Sequence, residues 1–171
     1  MKSNFSWGSN LAIIPKKGHR RSRGASDVKR GVVIFLVFLA LSVIIHETFH
    51  LVVARALSYS SEIFYGMSLS NLYGYVRIEP PPQGTLHTVF IFSAGGVGTA
   101  VVFFILWSAI EDIVAKLLLS FFTSMQLTYG LLETAYGLGL VKIEVLSIWP
   151  IIVGIVTMLI FRIIYWRLGW W

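Results

Sequence analysis

Gly31–Leu57 reads GVVIFLVFLALSVIIHETFHLVVARAL, an apolar run in which Ser42, His46, Glu47, Thr48 and His50 are the only polar residues before Arg55. The run exceeds the roughly 20 residues that a helix needs to cross a bilayer. A carboxylate near the middle of such a helix costs about 2.5–3.5 kcal/mol even on the lenient insertion scale, so an ionisable group there is a functional candidate by default. Two histidines and a glutamate clustered at that depth require a partner that offsets the cost. A metal ion is the most economical one.

The spacing agrees. Histidines four apart on a helix share a face and stand about 6 Å apart along the axis, so both imidazoles can reach one zinc ion at roughly 2.0–2.1 Å. Glu47 sits beside His46, in position to take a proton from zinc-bound water. Shuffling this composition produces His-Glu-x-x-His about 0.003 times per chain, so coincidence explains it poorly.

Working outward, the chain has 171 residues, 56% of them hydrophobic and 13% charged, with a mean hydropathy of +0.77. That balance belongs to multi-pass membrane proteins rather than soluble domains. Without cysteine, disulfides and thiolate metal sites are excluded, leaving His and carboxylate ligands. Residues 1–30 carry eight Lys/Arg and one Asp. They read as a basic, disordered tail beside anionic lipid of a cell membrane, not as a nucleic-acid arm or a cleaved signal peptide.

Four segments have spanning length: 31–57, 85–110, 113–141 and 146–166. The expected fold is an all-α membrane protein of about four transmembrane helices, with residues 31–171 forming one membrane domain. Trp149, Tyr165, Trp166, Trp170 and Trp171 fit interfacial anchors, and Pro150 falls near a helix entry, where its missing N–H costs little. Between the first two helices, Ile63–Leu69 and Leu72–Glu79 have strand composition around a Ser70-Asn71 turn, which predicts a short β-hairpin. Pro80-Pro81-Pro82 ends its second strand.

A zinc site needs a third protein ligand. Counted from the shared end of the helices, His46 and His50 lie about 10–16 Å deep and Glu133 about 12 Å deep. Glu111 and Asp112 fall at the opposite surface, and His87 is too shallow. Glu133 is therefore the expected ligand; bonding to Tyr129, Thr134 or backbone is the structural alternative. Ala94-Gly95-Gly96-Val97-Gly98 reaches the same depth and would admit the metal-bearing helix or a substrate, although packing explains it as well. Gln126 and Thr128 line the path to Glu133 and could bond a substrate, a ligand carboxylate or a neighbouring helix.

Three features together resemble the site-2 protease family of intramembrane zinc metalloproteases. They are HETFH in an apolar helix, Leu72-Tyr73-Gly74-Tyr75-Val76-Arg77 after it, and Ser93-Ala94-Gly95-Gly96. The resemblance covers about residues 31–140. Gly96 stands where that family usually has proline, Thr99 lies near its usual Asn, and its Asp-bearing Leu-Asp-Gly segment is absent; Gln126–Glu133 is the nearest counterpart. The resemblance implies cleavage of transmembrane or membrane-proximal segments of protein substrates, with Glu47 catalytic and His46, His50 and Glu133 on zinc. Tyr75, Gly95, Gly96 and Gln126 are the substrate-binding candidates, the strand around Tyr73–Arg77 holding an unwound segment by edge pairing. A catalytically silent relative that escorts membrane proteins around a structural zinc is the alternative. Positive-inside weighting places the end carrying the tail in the cytosol, whereas the resemblance implies a metal nearer the cytosolic face. The sequence sets no oligomeric state.

Overall fold

The computed structural model describes residues 20–68 and 71–170. The element order is α1 (Arg20–Ala56), β1 (Ser60–Ser68), β2 (Asn71–Glu79), α2 (Thr85–Ala109), α3 (Ile113–Gly137) and α4 (Ile143–Arg167). The expected hairpin between the first two helices is present. Its antiparallel register pairs Ser68 with Asn71 and Ser60 with Glu79, so Asn71, expected in the turn, belongs to the strand; Leu69 and Ser70 lie outside the described residues.

Three helices are long and apolar enough to cross a membrane: α1 over Val28–Ala56, α2 and α4. Much of their apolar surface is exposed, including Val33, Leu36 and Val37 on α1 and Ile152, Ile155 and Leu159 on α4. A helix apolar on all sides is either buried in a large core or faces lipid. The fourth segment matches the others in length but not in apolarity. α3 carries Lys116, Gln126 and Glu133 among several hydroxyl residues. It packs between α2 and α4 and buries Leu117, Leu119, Ser120, Phe121, Phe122 and Gln126, so neighbouring helices rather than surroundings cover its polar positions.

The helix boundaries have local causes. α1 begins at Arg20, so the expected disordered tail gives way to helix at its last residues; residues 1–19 lie outside the described residues. α3 stops at Gly137, four residues before the expected end. Gly139 there adopts φ 72°, its N–H bonds Tyr136 O and the Leu140 N–H bonds Ala135 O. That pair of bonds satisfies carbonyls that the helix end would otherwise orphan. α4 starts at Ile143, three residues early, which moves Pro150 past the first turn. Its missing N–H therefore deprives the Leu146 carbonyl of its helical donor.

α1 lies against α2 and α3, and the hairpin rests on α1. An aromatic core of Phe38, Phe103, Phe121 and Phe122 joins the first half of α1, the second half of α2 and the first half of α3. The Phe38, Phe103 and Phe122 rings meet with centroids 5.7–6.1 Å apart. At that end, Asp112 accepts from Ala115 N–H at 2.9 Å and pairs with Arg30 at 2.7 Å. The other half of the bundle is left to the polar cluster.

Candidate metal centre

Both histidines of α1 are buried, at 6% exposure each, and turn toward α2 and α3. The His50 Nδ1–H donates to the Ile91 carbonyl at 2.6 Å, and the His46 Nδ1–H to Gln126 Oε1 at 3.0 Å. A carbonyl oxygen can only accept, so these bonds fix the Nδ1–H tautomer of each neutral ring and leave both Nε2 atoms with lone pairs. The two Nε2 atoms are 3.0 Å apart. Glu133 Oε2 stands 3.3 Å from each of them.

Three electron-pair donors thus converge on one point, and Glu133 Oε2 is buried with no hydrogen-bond partner among the described residues. Such an arrangement is repulsive without a positive charge at its centre. A small tetrahedral ion with donors at about 2.0–2.1 Å sets them about 3.3–3.4 Å apart, close to the separations found. His46, His50 and Glu133 can therefore hold a metal ion. Of the suggested structural partners of Glu133, Thr134 is engaged elsewhere, its hydroxyl donating to Gly130 O at 2.7 Å.

Glycines make this convergence possible. A Cβ on Gly95 would meet both imidazoles, 2.7 Å from His46 Nε2 and closer still to His50 Nε2. Gly98 lies under the Phe49 ring, and Gly96 faces the backbone of Gly130 on α3. The small-residue stretch of α2 thus serves two neighbours: Gly95 and Gly98 admit α1, while Gly96 admits α3. Of the residues read as substrate-binding, Gly95 abuts the imidazoles, Gly96 lies at a helix crossing and Gln126 orients His46. Tyr75 stands on the hairpin's exposed face, stacked on Phe64 with centroids 5.1 Å apart.

Glu47, 9% exposed, lies beneath the hairpin. β2 passes so close that a Cβ on Gly74 would come 2.7 Å from Glu47 Cγ. The strand separates two cavities that both reach Glu47. One, of about 430 Å³, is lined by α1 (Leu39, Val43, His46), α3 (Gln126, Tyr129) and α4 (Leu146, Pro150). The other, of about 250 Å³, lies between β2 and the ends of α2 and α3, and reaches His50 and Glu133. Among the described residues β2 pairs only with β1, so its second edge keeps unpaired backbone groups.

The remaining candidates lie elsewhere. His87 Nδ1 and the Tyr59 hydroxyl are hydrogen-bonded at 2.7 Å, linking the start of α2 to the segment after α1. Glu111 borders a separate cavity with Lys116 and Trp170. The Ile91 carbonyl carried no sequence signal, because any residue supplies one. No family model, curated protein or solved structure matches the chain.

Proposed function

We propose that this chain is an intramembrane zinc endopeptidase that cleaves peptide bonds in or near transmembrane segments, as its resemblance to the site-2 protease family implies. The observation that carries the reading is the convergence of His46, His50 and Glu133 within 3.3 Å of one another, beside a buried Glu47 at the foot of two cavities. Three protein ligands and an open position are the usual plan of a catalytic rather than a structural zinc site. The exposed apolar faces of α1, α2 and α4 support lipid as the surroundings, with α3 sheltered among them as a fourth span.

When bound, zinc supplies the charge that polarises the scissile carbonyl and acidifies water. Glu47 takes the proton of the attacking water and returns it to the leaving nitrogen. Gln126 and the Ile91 carbonyl keep each imidazole in the tautomer that presents Nε2. A substrate helix must unwind to expose its carbonyls, and the free edge of β2 can pair with the extended segment. Entry from the lipid side is supported by the gap between α1 and α4, which make no close backbone approach while sharing the larger cavity.

The test combines metal analysis with cleavage in reconstituted protein. Wild type should carry one zinc per chain, Glu133→Ala should lose it, and Asp112→Ala should keep it. Glu47→Gln should bind zinc without turnover of a membrane-peptide substrate. Persistent turnover in Glu47→Gln would sink the peptidase reading. Zinc without turnover in wild type would favour the silent escort.

A further inference from the structure

We propose that Tyr129 is a catalytic hydrogen-bond donor to the carbonyl oxygen of the scissile peptide, an assignment that rests on the peptidase reading. Tyr129 lies four residues before Glu133 on α3, on the same helix face. Its ring meets the His46 imidazole edge-on, centroids 5.2 Å apart at 75°. Three cavities border it: the one shared by α1 and α4, the one under β2, and a third of about 300 Å³ between α2, α3 and α4. No other described residue borders all three. The ring therefore stands where a substrate running through these spaces must pass the metal ligands and Glu47.

Its hydroxyl has no hydrogen-bond partner among the described residues, and it is not among the fully enclosed polar atoms. Of the other hydroxyls lining these cavities, Ser42 donates to Leu39 O and Ser147 to Glu144 O, each within 2.8 Å, while Tyr73, Tyr75 and Tyr136 belong to exposed side chains. Gln126 is tied to His46 through its amide oxygen, which leaves its nitrogen as the rival donor. A half-buried phenol without a protein partner, opening on a mostly apolar cleft, is free to donate to a ligand there.

The chemistry needs such a donor. As the water oxygen bonds to the carbonyl carbon, its proton passes to Glu47 and negative charge gathers on the carbonyl oxygen. The C–N bond then breaks, and the proton moves from Glu47 to the leaving nitrogen. Tyr129 donates a hydrogen bond throughout and keeps its own proton. A preorganised donor of this kind contributes about 10²–10³ in kcat.

The test uses full-length zinc-loaded protein in nanodiscs, comparing wild type with Tyr129→Phe. The substrate is a quenched apolar peptide of about 20 residues, long enough to span. Two probes of matching sequence are added: a phosphinic peptide, whose tetrahedral oxygens imitate the charged carbonyl, and a hydroxamate, which chelates as a planar group. Tyr129→Phe should retain zinc, lose about 10²–10³ in kcat with KM within about threefold, and bind the phosphinic peptide roughly 10²-fold more weakly. Its hydroxamate affinity should stay within about threefold, an outcome that a merely structural role would not produce. Wild-type kcat and phosphinic affinity in Tyr129→Phe would overturn the assignment and pass the role to Gln126. Loss of zinc would overturn it too, making Tyr129 a support for His46. A wild type that neither cleaves the peptide nor prefers the phosphinic probe to the plain amide would fail at the level of the peptidase reading itself.

Discussion

The contact between α2 and α3 and the contact between α3 and α4 are built differently. At the first, Gly96 and Gly130 oppose each other, and a Cβ added to Gly130 would lie 2.9 Å from Gly96 Cα. Main chain rests on main chain, with no flexible atoms between. At the second, Gly154 faces the Phe121 ring, and α4 touches neither α1 nor the hairpin through its backbone. The tight crossing sits one residue from Gly95 and three from Glu133, so it holds the metal ligands in register. The looser one carries a helix that walls a cavity of about 430 Å³. A rigid frame of candidate ligands and a singly tethered wall are what the proposed peptidase would need to keep a metal while admitting a bulky chain.

The largest effect should come from the frame. Gly95→Ala places a methyl between the two Nε2 atoms, and the imidazoles cannot move aside without leaving the metal position. Zinc per chain should fall from about one to near zero, with all cleavage lost, as read by elemental analysis. If Gly95→Ala binds zinc like wild type, α2 is not part of a rigid frame and the contrast between the two contacts is wrong.

The wall should behave in the opposite way. The chain has no cysteine, so paired cysteines replacing Leu39 and Ile151 can be bridged selectively by a flexible bifunctional reagent. Bridging should abolish cleavage of a membrane peptide while zinc content stays unchanged. Equal cleavage before and after bridging would show that substrate reaches Glu47 by the other cavity, past the edge of β2.

An intermediate effect should follow from Gln126→Ala. It removes the acceptor that orients His46 but leaves all three ligand atoms. Zinc affinity should drop about 10–100-fold, measured by competition with a chelator. An unchanged affinity would make the Gln126 bond incidental.

What the sequence revealed follows from the range of each signal. The apolar run of α1, the hairpin and the metal pair are local patterns of four to about 25 residues, and periodicity makes them readable. Glu133 required a longer inference. Depth arithmetic singled it out from the wrong helix end, Val141 rather than Gly137, an error of about 6 Å. The histidines still meet it, because a carboxylate near the right level on a neighbouring helix leaves little competition. The partners of Gln126 and Gly96 were not legible. Each depends on which face of its helix meets which neighbour, and small or polar residues mark a contact without naming the partner. The Ile91 carbonyl belongs to the backbone and leaves no trace in residue type. α3 has spanning length, as expected, but Gln126 and Glu133 in its second half keep it less apolar than the three helices fit to span, and it lies packed between α2 and α4.

The smallest effects compare the two contacts directly. Gly96→Ala pushes a methyl into the α3 backbone, where no side chain can rotate away, so the helices must separate. Overpacking of that kind costs about 1–3 kcal/mol. Gly154→Ala meets the Phe121 ring at 2.7–2.8 Å and its carbonyl oxygen at 3.1 Å, a clash that a ring shift and a small tilt of a singly packed helix relieve. The gain of roughly 1 kcal/mol in helix propensity on replacing an interior glycine by alanine acts against both penalties. The net change for Gly154→Ala should then lie within about 0.5 kcal/mol of zero, while Gly96→Ala remains destabilising. Unfolding in mixed micelles with increasing denaturing detergent, followed by circular dichroism, measures both. Equal losses would mean that α4 is held as firmly as α2, and the gap beside α1 would then be a fixed cleft rather than a wall able to move.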